Sequence, residues 1–174
     1  MTWNAFARRE EILRAVVDTA DRRLDGNLPT DLPGVTDTFP TDTDLVSALL
    51  LKWHTRLSGN VERILMAEPM GLEESVAAAW RRTAEQMPGV RLILDRAGHL
   101  DNSTLKPLVQ RAQEREWVRL AMAAGVANNP SPAAAAAGRR LEETARAGLV
   151  LAGQVSAHAA NESFVRRLKA ALAA

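Results

Sequence analysis

The side chains able to do chemistry in this 174-residue chain are few and widely scattered. Asp95 and His99 stand four apart, close enough on one helix to share a metal ion, with Glu62 or Glu116 as further ligands. No Glu-x-x-His pair supports them, however, and Gly98-His99-Leu100 reads as a helix end where an imidazole meets carbonyls or water. His54 and His158 have no Ser or Asp at a spacing that suggests a triad. The adjacent glutamates 10/11, 73/74 and 142/143 point in different directions on a helix and read as solvated surface, not as acid–base pairs. The chain has no Cys, hence no thiolate ligand or nucleophile, and no Gly-rich phosphate loop. The expectation is a protein that is not an enzyme, with no catalytic residue, no metal and no cofactor.

The elements that carry these residues are helical. Hydrophobic residues make up 47% of the chain and charged residues 25%, with abundant Ala, Leu, Arg and Glu and no Tyr, a mixture that favours helices over strands. The fold class expected is all-α. Apolar residues recur at Ile12, Leu13, Val16, Val17 and Ala20, marking a first helix from about Asn4 to Leu24 that Gly26 stops. Pro29, Pro33 and Pro40 then leave no room for a full helix between residues 26 and 40. Thr41 and Asp44 form a capping-box variant before a helix over Leu45 to Leu65, on which Trp53, Leu57 and Val61 share a face. Further helices are expected at Leu72 to Met87, at the short apolar stretch VRLILDR, at Thr104 to Ala124, from Ser131-Pro132 to about Val155, and at NESFVRRLKAAL. Val109, Gln113, Trp117, Leu120 and Ala124 are expected to share one face. The charged N-terminus is no signal peptide and no apolar stretch is long enough to cross a bilayer, so a cytoplasmic protein with no membrane partner is expected. A net charge of +1 does not announce nucleic-acid binding.

In order and spacing these pieces resemble the TetR family of regulators. ARREEILRAVVDTADRR looks like that family's opening helix, and FPTDTDL, Phe39 to Leu45, follows its Phe-Pro-Ser-Lys-x-x-Leu junction. PGVRLILDR is similar to its short sixth helix, and GRRLEETARAGLVLAGQ with NESFVRRLKAAL to its final, dimer-forming pair. The resemblance implies a head at residues 1–45 and a body for ligand binding and dimerisation at 46–174. It further implies a twofold homodimer with Leu149, Val150, Phe164 and Leu168 in the interface. A central pocket for an apolar small molecule would be formed by Trp53, Leu57, Val61, Trp80, Met87, Gln113, Trp117 and Leu120, with His54, Gln113 and Thr83 as polar groups.

The departures from the family fall in the head. The family reads DNA with a helix that follows Gly-Val-Ser and precedes Phe-Pro; here only Asp37 and Thr38 stand between Gly34-Val35-Thr36 and Phe39. Two residues cannot complete a turn of about 3.6 residues. From residue 25 to residue 45 stand Asp25, Asp31, Asp37, Asp42 and Asp44 with no Lys or Arg, so this surface repels phosphate. Standard operator binding is therefore doubtful, leaving at most weak contact with DNA through Arg8, Arg9 and Arg14, helped by Arg22 and Arg23. Two readings follow: a TetR-like homodimeric regulator that senses an apolar small molecule, or a helical ligand-binding or protein-interaction module that no longer touches DNA. The segment Asn27 to Pro40 discriminates them, because a reading head needs two short helices with one exposed, whereas an irregular strap packed on the first helix cannot reach a groove.

Overall fold

The computed structural model describes residues 3–67, 71–99 and 104–149. They form α1 (Trp3–Arg23), α2 (Val35–Thr38), α3 (Asp42–Ala67), α4 (Leu72–Gln86), α5 (Pro88–His99) and α6 (Leu105–Ala123), followed by a helix over 132–149, here α7. There is no strand among the described residues, and the fold is all-α. Local chemistry sets the boundaries. Thr41 Oγ1 accepts from the Asp44 amide at 3.1 Å while Asp44 Oδ2 accepts from the Thr41 amide at 3.2 Å, a reciprocal cap for α3. Ser131 Oγ accepts from the Ala134 amide at 3.1 Å, and Pro132 opens α7 where a missing N–H costs nothing. Pro88 likewise begins α5, so that only Met87 separates α4 from α5. The first helix ends one residue earlier than its periodicity suggests: Leu24, not Gly26, leaves the helix, at φ 51°, a backbone region that Leu seldom enters.

The long helix α3 is the axis of the packing. It lies along α4 and across α6, and it also touches α5 and α1. Its buried stripe is Leu45, Val46, Leu49, Leu50, Trp53, Leu57 and Asn60, the three-and-four spacing of a helix covered on one side. On α1, Leu13, Val16 and Ala20 form a shorter stripe, and this helix packs chiefly on α5. Leu13, Val16, Val35 and Phe39 belong to the same buried cluster as Leu49, Trp53, Trp80 and Ile93, so one core runs from the N-terminal segment into the bundle.

Between α1 and α3 the chain forms a strap whose only helix is the four-residue α2. Leu28 and Leu32 are half-buried against the core, and Val35 and Phe39 are buried. Arg9 donates to the Thr38 carbonyl at 2.9 Å and lies 4.3 Å above the Phe39 ring. Arg23 grips Asp31 with two bonds of 2.7 and 2.6 Å, and Arg96 of α5 reaches Asn27 at 2.6 Å.

Two helix crossings are close enough to demand glycine. A Cβ on Gly89 would stand 2.1 Å from the backbone carbonyl carbon and oxygen of Ala20, and one on Gly138 would stand 1.8 Å from the Trp117 carbonyl oxygen. Backbone cannot yield as a side-chain tip does, so Gly89→Ala and Gly138→Ala should each destabilise by about 1–3 kcal/mol or more through forced separation of the helices. Gly59→Ala, with nothing within 4 Å of its Cβ in α3, should be neutral or gain up to about 1 kcal/mol from helix propensity. Urea unfolding of the three variants checks the contrast.

Candidate functional site

The centre of the bundle holds a charge. Glu116, on the core side of α6, is only 3% exposed, and burying a carboxylate without partners costs several kcal/mol. Its partners come from three other helices. Trp53 Nε1 of α3 donates to Oε2 at 2.8 Å, and Trp80 Nε1 of α4 donates to Oε1 at 3.0 Å. The two indoles meet edge to face, with centroids 5.7 Å apart and planes at 71°. His54 Nε2 lies 3.1 Å from Oε2, at ion-pair distance. Burial pushes the Glu116 carboxyl up; His54, Arg91 and the Trp53 indole outweigh it and hold the group below its ordinary value.

From this centre a chain of polar contacts runs outward. Arg91 of α5 lies 4.9 Å over the Trp53 ring and bonds Asp95 at 2.9 Å. Asp95 also receives both terminal nitrogens of Arg146 from α7, at 3.0 and 2.7 Å. Arg146 stacks 4.8 Å over the Trp80 ring and donates to Glu142 at 2.7 Å, and Glu142 in turn accepts the indole N–H of Trp117. Although burial raises the Asp95 carboxyl, the two arginines bring it below the usual range, and the same contacts push Arg146 up against the opposing effect of its burial. Asp95 is thus engaged with arginines instead of a metal, and His99 turns Nδ1 to the Asp95 carbonyl at 2.7 Å. Among the described residues no group of three or more His, Cys, Asp or Glu is placed to hold a metal ion.

Beside the Glu116–His54 contact lies a cavity of about 160 Å³ between α3 and α6. Leu57, Val61, Leu120 and Ala123 form its walls, His54 and Glu116 its polar side, and the exposed Ser58, Glu62 and Arg119 its mouth. Of the eight residues expected to make a pocket, Leu57, Val61 and Leu120 meet here. Trp53 and Trp80 are filled-in core at 0% and 1% exposure. Met87, also buried, belongs to the floor of a broad groove of about 1000 Å³ between α1 and α3. Gln113 and Trp117 are half-buried at the edge of α6's inward face, whose buried residues are Leu105, Val109, Glu116, Leu120 and Ala121. The expected face therefore needs correcting: Glu116 occupies its middle, which turns Trp117 aside toward α7. The polar partners Glu116, Arg91, Glu142 and Arg146 were not singled out as a network by their sequence positions.

The remaining expected sites are placed as follows. Arg9 is occupied with the strap, whereas Arg8 and Arg14 are exposed. Leu149 is half-buried against the core; Val150, Phe164 and Leu168 lie outside the described residues. No described helix is long and apolar enough to cross a membrane. Compared with family models, curated proteins and solved structures, the chain matches none.

Glu116→Ala leaves two buried indole N–H groups without an acceptor and removes an anion from the neighbourhood of Arg91 and His54, so a loss of about 3–5 kcal/mol is expected. Glu116→Gln keeps one acceptor but sets an amide N–H against an indole, for an expected loss of about 1–3 kcal/mol. Glu116 and Asp95 are both lowered from 4.5 and 3.8, so the stability they confer is complete above those values and disappears as the pH falls through their folded values. Acid titration of the native protein followed by tryptophan fluorescence should show unfolding in that range, and E116Q should flatten the Glu116 contribution.

Proposed function

We propose that this chain is a TetR-like helical ligand-binding module that does not read DNA. The observation that carries this reading is the strap between α1 and α3. A recognition helix must present several side chains to base edges, and α2, four residues long with Val35 buried, has neither the length nor the exposure. The contacts that fix the strap also withdraw Arg9 and Arg23 from phosphate. Any part in transcription would then run through a partner protein, with Arg8 and Arg14 giving at most weak, salt-sensitive contact with duplex DNA. The ligand side of the proposal rests on the cavity at Leu57, Val61 and Leu120, close in size to the engineered cavity of about 150 Å³ that takes up benzene. The module acts in the cytoplasm as a twofold homodimer joined by α7 and the residues beyond it, Leu149, Val150, Phe164 and Leu168 among them.

A gel-shift at about 150 mM salt, near physiological ionic strength, should give no discrete complex with duplex DNA. A footprint on a palindromic site under those conditions would restore the repressor reading. Toluene should raise the melting temperature in proportion to ln(1 + [L]/Kd), and Val61→Trp, which fills the cavity, should remove the shift. Light scattering at micromolar concentration should return twice the monomer mass; a monomer would remove the proposed interface.

A further inference from the structure

The geometry points to a small aromatic molecule bearing one hydroxyl as the ligand of the His54–Glu116 cavity. This rests on the ligand-binding reading above and adds the chemistry of the occupant. The walls, Leu57, Val61, Leu120 and Ala123, select an apolar body, and the volume of about 160 Å³ fits about one ring. The polar side selects the head. Glu116 is ionised and presents a carboxylate, an acceptor that repels an anionic ligand and calls for a donor. Two indole N–H groups occupy part of its acceptor capacity, and a carboxylate has sites for about four hydrogen bonds, so room remains for a ligand's donor.

His54 completes the choice. Its Nε2 faces a carboxylate oxygen 3.1 Å away, where a lone pair would be repelled, so this nitrogen carries the hydrogen. This nitrogen is buried and meets the Glu116 oxygen without a well-formed hydrogen bond, so a better-placed acceptor in the cavity would improve its surroundings. A ligand atom held in the cavity beside Glu116 would supply that acceptor. The head must therefore donate to Glu116 and accept from His54 at one atom, and a hydroxyl does both. An ammonium head donates but cannot accept. It would also add a positive charge where Arg91 already faces Glu116 and Arg119 stands at the mouth.

The test compares phenol, toluene and benzylamine by calorimetry on the full chain. In a purely apolar cavity toluene binds more tightly than phenol, because the hydroxyl loses its water; in this cavity phenol should bind at least tenfold more tightly than toluene and more tightly than benzylamine. His54→Phe should bring the phenol-to-toluene ratio to within threefold. In wild-type protein labelled at its three histidines, phenol should move one imidazole N–H resonance downfield, as a new hydrogen bond does, whereas toluene should give only a ring-current shift, a readout independent of whether H54F folds. Equal or tighter binding of toluene, tighter binding of benzylamine, or an unchanged ratio in a folded H54F each overturns the hydroxyl assignment and leaves the cavity as a ligand site. Binding of none of the three overturns the ligand-binding reading itself.

Discussion

A carboxylate in the middle of a helical bundle is stable only if its surroundings are arranged around it, and Glu116 imposes that arrangement here. Its two oxygens bring together an indole from α3 and one from α4, and the guanidinium of Arg91 from α5 lies over the Trp53 ring. Each helix that supplies a partner is thereby fixed in rotation as well as in position, something apolar contacts alone specify less sharply. The constraint propagates. Arg91 needs Asp95, Asp95 takes Arg146, and Arg146 with Glu142 draws α7 onto the bundle beside Trp117. The crossing of α7 over α6 at Gly138 is then as close as two backbones can come.

At the other end of the molecule the constraint is proline. Between α1 and α3, Pro29, Pro33 and Pro40 interrupt any long helix, so the segment packs on its neighbours and satisfies itself with what is nearest. Arg9 and Arg23 bond to it, Val35 and Phe39 enter the common core, and a surface that would otherwise be presented outward becomes part of the packing.

The helix boundaries were readable because their causes are local. Thr41 with Asp44, Ser131 with Pro132, and the Pro88-Gly89 break each act within a few residues, and each marks the boundary that the structure has. The apolar stripe of α3 was readable for the same reason. What could not be read was which partner each tryptophan would find, because Trp53 and Trp80 stand 63 and 36 residues from the carboxylate that holds them. One local sign did exist: Glu116 falls between Val109, Ala112 and Leu120 at helical spacing, on the apolar side of α6, where an ionised group must be compensated from elsewhere. The cavity was only partly legible, since Leu57, Val61 and Leu120 follow from the face pattern while the place of His54 beside Glu116 depends on how α3 and α6 meet.

The shared carboxylate also has a bearing on how this sequence can change over time. Two indoles and an imidazole depend on a single residue, so the free energies of substitutions at positions 53, 54, 80 and 116 cannot add independently. Once Glu116 is replaced by an apolar residue, the indole N–H groups that were its complement become liabilities, and replacing them in turn recovers stability that would have been lost had they gone first. The order in which such changes accumulate therefore matters. The centre of this bundle is open to revision only through a narrow set of paths, while the exposed outer faces of the helices can change residue by residue.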